Sequence, residues 1–183
     1  MERKKFILAA LTATTPLLAF TRIKTKEDVA NIPFKVDAGK SRFGDVVKFL
    51  GVHPNDLKIS SKDTAGQLAA FEYTGLGKAG PALHVHFHQD EIFFILEGEY
   101  HFVVGDQSQL LKAGDTIFLP RNIPHTWFQR SDKGKMIYIV QPAVKMEEFF
   151  NYMNTLKTRP SDEEFQKIHR QYDLEVVGPP LTE

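Results

Sequence analysis

The chain has 183 residues, 42% of them hydrophobic, which suits one domain with a sizeable buried core. Basic and acidic residues balance at 23 each and form no basic stripe, so composition argues against a nucleic-acid partner. The absence of cysteine excludes disulfides and thiolate metal ligands and leaves the cellular compartment open.

At the start, Met1-Glu2-Arg3-Lys4-Lys5 is basic and the following stretch from Phe6 to Phe20 is largely apolar. That pattern predicts a secretory signal peptide over residues 1–20 and an exported, periplasmic protein. The apolar run has the length of a signal-peptide core and is short for a membrane span, so no stable span is expected in the mature chain. Arg3-Lys4-Lys5-Phe6-Ile7-Leu8 has the look of a degenerate twin-arginine signal, a route for a protein exported already folded. The competing reading is a helical arm packed on a partner subunit.

Between Thr25 and Ser60 only weak strand signals occur, around Pro33-Phe34-Lys35-Val36 and Val46 to Leu50, with His53 in a turn before Pro54. Ser60 to Thr64 reads as a loop and Gln67 to Thr74 as a strand. Gly75 to Pro81 is a glycine-rich approach loop. His84-Val85-His86 is the next strand, and Phe87-His88-Gln89-Asp90 turns the chain back to Glu91. Ile92 to Leu96 is β-branched and aromatic, Gly98 marks a tight turn, and Tyr100 to Val104 is the return strand, closed at Gly105-Asp106. After the Ala113-Gly114-Asp115 turn comes a strand over Thr116 to Leu119, which Pro120 to Pro124 breaks before His125.

Beyond Pro142 the hydrophobic period changes from two to about 3.6 residues. Met146, Phe149, Phe150 and Met153 share one helical face. A second helix begins at Ser161, where Glu164 completes a capping box, and Phe165, Ile168 and Tyr172 continue one face. Both helices are expected on the exterior of the β-structure or across its mouth. His169 on the second helix and His101 on a strand are expected to be structural or solvated.

The chemistry concentrates at four positions. Alternation along a strand puts His84 and His86 on one face, about 7 Å apart. Imidazoles at that separation can both reach one metal ion at about 2.0–2.1 Å. The turn residues before Glu91 and His125 let one carboxylate and a third imidazole join them. His88, two residues from His86, is placed at the pocket rim, and Phe93 and Trp127 are candidate pocket walls. Trp127 earns that place by sharing strand parity with His125. Barrel core is the competing reading for both rings, and 15 Phe, 5 Tyr and 1 Trp are enough to fill both roles.

These residues resemble the cupin family. Its first motif runs Gly-x5-His-x-His-x3–4-Glu-x6-Gly, matched by His84-x-His86-x4-Glu91-x6-Gly98 with Lys78 in place of the leading glycine. Its second runs Gly-x5-Pro-x-Gly-x2-His-x3-Asn, matched by Gly114, Pro120, Asn122, His125 and Gln129, with Asn122 for a glycine and Gln129 for the closing asparagine. Asparagine best tolerates the left-handed conformation that such a glycine supplies. The likeness covers about Leu57 to Pro142, and the motifs occur once, as in single-domain members.

The resemblance implies a mainly β fold: a jelly-roll barrel over residues 21–142 with an N-terminal extension, followed by a helical segment over 143–183 with two helices. It also implies His84, His86, Glu91 and His125 as metal ligands, and frequently a homodimer. Gly80-Pro81, the Asp90-Glu91 pair and the Gly-Pro-Pro-Leu ending look most like small bacterial quercetin-dioxygenase-like members. In flavonol-cleaving members the ligating glutamate takes the substrate hydroxyl proton, a role that would fall to Glu91. The expected cofactor is one divalent transition metal, Fe or Mn first, with Ni, Co, Cu or Zn compatible with nitrogen and oxygen ligands. The expected partners are a small aromatic or enolisable hydroxy substrate and O2. Two rivals remain open: a metal-dependent isomerase or lyase acting on a sugar or oxo-acid, and a non-catalytic binding protein.

Overall fold

The computed structural model describes residues 32–182. The signal-peptide expectation over residues 1–20 lies outside them. No helix among the described residues is long and apolar enough to cross a membrane.

In chain order the strands are β1 (Lys48–Phe49), β2 (His53–Ile59), β3 (Ala69–Gly75), β4 (Ala82–His86), β5 (Asp90–Glu97), β6 (Glu99–Val104), β7 (Gln107–Lys112), β8 (Thr116–Leu119), β9 (His125–Gln129) and β10 (Gly134–Gln141). Helices α1 (Met146–Thr155) and α2 (Asp162–Gln171) follow, and β11 (Leu174–Pro180) closes the chain. The strands form a six-stranded sheet ordered β1-β2-β3-β10-β5-β8 and a five-stranded sheet ordered β11-β4-β9-β6-β7. Every pairing is antiparallel, and the sequence crosses repeatedly between the sheets, as in a jelly roll. The mainly β jelly roll expected from the sequence is what forms.

Strand alternation packs the interior in layers. Glu91 pairs with Val140 and Leu119, Phe93 with Tyr138 and Ile117, and Ile95 with Met136, all buried. From the second sheet, His125 lies opposite Val104, Trp127 opposite Phe102, and Gln129 opposite Tyr100. The interior therefore holds a polar level at Glu91 and His125 and aromatic levels beyond it. Burying an aromatic side chain is worth roughly 2–3 kcal/mol, so these rings dominate cohesion between the sheets. Gly98, at φ 86°, hands the chain from β5 to β6, and a Cβ there would lie 2.6 Å from the Lys133 carbonyl oxygen. Both facts call for glycine.

Several expectations are corrected. His53 is not in a turn: it opens β2, is 6% exposed, and accepts a hydrogen bond from the Leu76 amide through Nδ1 at 3.0 Å. The turn lies just before it, where Leu50 and Gly51 take positive φ, and Pro54 is tolerated because β1 is only an edge partner. Residues 33–36 form no strand, and of Val46 to Leu50 only Lys48–Phe49 does.

The segment after residue 142 is not wholly helical. Asp173, at φ 64°, turns the chain out of α2, and β11 then pairs along β4, with Leu174 opposite His86 and Val176 opposite His84. That pairing covers a sheet edge that would otherwise leave backbone groups of the histidine-bearing strand open. The helices themselves follow the sequence pattern. Met146 and Phe149 are buried, Phe150 and Met153 pack against the core, and Ser161 and Glu164 form the reciprocal capping box. His169 is buried on α2, with Nδ1 2.7 Å from the Phe165 carbonyl oxygen.

Candidate metal centre

Three strands meet at the polar level. His84 and His86 project from one face of β4, and His84 lies directly opposite His125 of β9 in the adjacent antiparallel strand. Glu91 comes from β5, in the other sheet. One potential ligand atom from each of the four side chains lies within 4.8 Å of the others, so the cluster could hold one metal ion. The imidazole centroids are 4.6 Å apart for His84 and His125, 5.0 Å for His84 and His86, and 5.2 Å for His86 and His125. Glu91 Oε2 is 3.0 Å from His125 Nε2 and 3.7 Å from His86 Nε2.

The outer nitrogens explain why the inner ones converge. Nδ1 of His84 is 2.8 Å from the Ala82 carbonyl oxygen, and Nδ1 of His125 is 2.9 Å from that of Ile123. Nδ1 of His86 is 3.0 Å from Oε1 of Gln89. Each contact makes Nδ1 a donor, so in the neutral ring it is Nε2 that carries the lone pair. His125 Nε2 is buried and has no hydrogen-bond partner, although a carboxylate oxygen lies near. A buried polar nitrogen without a partner is costly in a protein interior. A metal ion would satisfy it, and three neutral imidazoles with one carboxylate form a donor set that suits a divalent transition metal. The residues fit the ion.

Electrostatics prepare the same state. Burial, reinforced by His125 and His86, pushes the His84 imidazole well below its usual 6.5. Burial lowers His86 as well. Burial by itself would raise the Glu91 carboxyl, but His86, His125 and His84 outweigh it and hold it at about 2. Around neutral pH, His84 and His86 are therefore uncharged and Glu91 is ionised, the protonation state that metal ligation requires.

The loops that deliver the ligands are themselves tied down. Asn122 sits at φ 64°, in the left-handed conformation expected where the motif has glycine, and its amide donates to the His86 carbonyl oxygen at 2.8 Å. Arg121 beside it grips Asp90 with Nε–Oδ1 at 3.0 Å and Nη2–Oδ2 at 2.6 Å. This pair joins the loop before His125 to the residue before Glu91 and holds the Asp90 carboxyl below its ordinary value.

Not every sequence candidate joins the cluster. His88 is exposed in the turn between β4 and β5 and is absent from the ligand group. Phe93 is 2% exposed, between Phe102 and Tyr138 at ring separations of 5.3 and 5.2 Å. Trp127 is 5% exposed, stacked on Phe49 and edge-on to Tyr73. Both rings pack in the aromatic level next to the ligands. His101 bonds Ser108 through Nε2 at 2.7 Å, on the β6–β7 hairpin. Gln89 is the residue the sequence reading missed: a polar side chain in a turn looks solvated, and here it is 3% exposed. Its position three residues beyond His86 and two before Glu91 was the available signal.

An antiparallel two-sheet jelly roll with three histidines and a glutamate converging inside it defines a β-barrel protein with a candidate mononuclear metal centre. Residues 75–141 match the cupin domain family. An uncharacterized protein of Methanocaldococcus jannaschii is 29% identical over 103 residues, spanning 56% of this chain and 72% of that protein. Among solved structures, an RmlC-like cupin from Shewanella frigidimarina is 20% identical, with a TM-score of 0.49, covering 61% of this chain and 96% of that one. A predicted oxalate decarboxylase from Thermotoga maritima is 19% identical, with a TM-score of 0.46, covering 49% of this chain and 79% of that one.

Proposed function

We propose that the protein is a metal-dependent dioxygenase acting on an aromatic or enolisable hydroxy compound of the flavonol type, with His84, His86, Glu91 and His125 holding one Fe or Mn ion. The observation that carries the metal reading is the convergence of three Nδ1-anchored imidazoles and one ionised carboxylate, with His125 Nε2 buried and unpartnered. The substrate class rests on the resemblance to quercetin-dioxygenase-like cupins.

The chain's own residues have definable tasks in that reaction. The three histidines would offer their Nε2 lone pairs to the ion and leave the negative charge of the site to Glu91. Glu91, ionised and adjacent to the ligand nitrogens, would accept the hydroxyl proton of the substrate at Oε2. A carboxylate held this low is a weak base towards an ordinary phenol, whose pKa is about 10. An ion held by the four ligands would supply Lewis acidity, lowering the pKa of a bound hydroxyl so that Glu91 could take its proton. Deprotonation enriches the substrate in electrons, which is what reaction with O2 demands. The aromatic level beyond the ligands excludes water from that side of the site.

The test is incubation of metal-loaded protein with quercetin in air and under argon, with the metal content fixed by elemental analysis. Ring-cleaved product in air alone is expected. Equal product under both gases, or none under either, overturns the dioxygenase reading.

A further inference from the structure

We propose that Gln89 is a positioning residue for the metal centre: it sets the donor nitrogen of His86 and ties that ligand to the start of α1. The proposal rests on the metal reading above. The Gln89 carboxamide is buried and spans two partners, with Oε1 3.0 Å from His86 Nδ1 and Nε2 donating to the Ala143 carbonyl oxygen at 2.6 Å. A carbonyl oxygen only accepts, so the Ala143 contact decides which end of the amide is which. Nε2 must face Ala143, and Oε1 is left to face His86. His86 must then carry its proton on Nδ1, and its Nε2 is the bare nitrogen turned towards Glu91, 3.7 Å away.

The arrangement differs from that of the other two histidines. His84 and His125 receive the same instruction from backbone carbonyls, of Ala82 and Ile123, which no substitution removes. His86 alone takes it from a side chain, so it is the one imidazole whose tautomer a single substitution can release. The far end of the link also matters. The Ala143 oxygen that receives Gln89 also accepts from the Met146 amide at 3.2 Å, the first residue of α1. Ala143 and Met146 are 1% and 3% exposed, so this junction has little room to shift independently. Rotation of the His86 ring therefore pulls on the peptide that begins the helical layer, and a ring held by an ion holds that peptide in turn.

The test compares wild type, Gln89→Met and Gln89→Glu for Co(II) affinity by chelator competition, for the visible absorption of bound Co(II), and for hydrogen exchange of the first turn of α1 with and without metal. Methionine keeps the length and removes both polar contacts, and glutamate keeps an acceptor for His86. Removing a contact of this kind costs about 10–100-fold in metal affinity, so Gln89→Met should weaken Co(II) binding by that factor, alter its spectrum and abolish the metal-dependent protection of α1. Gln89→Glu should bind Co(II) at least as tightly as wild type. A merely structural glutamine would destabilise both variants and leave the affinity of the folded fraction unchanged, which overturns the proposal. So does Gln89→Glu binding tenfold more weakly than wild type. Failure of wild type itself to bind any transition metal overturns the metal reading, and this proposal with it.

Discussion

Replacing His125 with alanine removes the ligand whose Nε2 is buried, unpartnered and 3.0 Å from Glu91. A structural metal site with four ligands is worth about 10–16 kcal/mol, roughly 3 kcal/mol per ligand, which is about a hundredfold in Kd. Free metal at about a thousand times the wild-type Kd stabilises the fold by about 4.1 kcal/mol. The same concentration is then only about ten times the variant's Kd and contributes about 1.4 kcal/mol. For a chain of this length, about 1 kcal/mol moves Tm by roughly 2–4 °C, so the metal-induced rise should fall from roughly 8–16 °C to roughly 3–6 °C. Thermal unfolding followed by circular dichroism, with and without metal, reads this directly, and calorimetric titration gives the two Kd values. An undiminished metal-induced rise in the alanine variant would refute the ligand role of His125.

Other substitutions probe the supports. Asn122→Gly should leave stability within about 0.5 kcal/mol, whereas Asn122→Val forces a β-branched residue to φ 64° and should cost about 1–2 kcal/mol in urea unfolding. Phe93→Ala should cost about 3–5 kcal/mol by the same measurement if the ring is core, and a loss under about 1 kcal/mol would make it a pocket wall instead. The acid limb of stability should carry an Asp63 contribution. Burial raises that carboxyl, but Arg42 Nε and Nη2 and the Ser60 amide outweigh it and hold it below 3.8. A depressed folded-state value stabilises above the unfolded value and is lost as pH falls through the folded one. Asp63→Asn should therefore lower stability at neutral pH and flatten its decline below about pH 4, measured by urea unfolding across pH.

The features legible in the sequence were those with local causes. His84 and His86 reach one face by strand alternation, Gly98 and Asn122 by their conformational tolerance, and Ser161 with Glu164 by capping geometry. What escaped depends on distant partners. Strand β2 contains Pro54, Asn55 and Asp56 and is held by its pairing with β3 and, at its start, with β1. Strand β7, Gln-Ser-Gln-Leu-Leu-Lys, buries Leu111 alone, so its alternation is faint. Strand β11 includes Gly178, Pro179 and Pro180 and pairs with a strand about ninety positions earlier, which no local pattern encodes. Strand β10 is different: Met136-Ile137-Tyr138-Ile139-Val140 carries the strand signal plainly, although it bears none of the candidate ligands. Gln89 escaped because its burial is created by Ala143, more than fifty residues away.

The aromatic packing next to the ligands bears on how this protein would acquire a different substrate. Phe71, Tyr138 and Phe93 stack at 5.1 and 5.2 Å, and Trp127 and Phe102 belong to the same buried cluster beneath the ligands. Of the four candidate ligands, only His84 is not fully buried. The cluster therefore comes nearest to solvent along one lip, the His84 side. Enlarging it from below would mean removing rings on which the fold's cohesion depends. Substitutions along the rim carry no such cost, so new selectivity in descendants of this chain should accumulate in the loops around that lip while the barrel floor stays as it is.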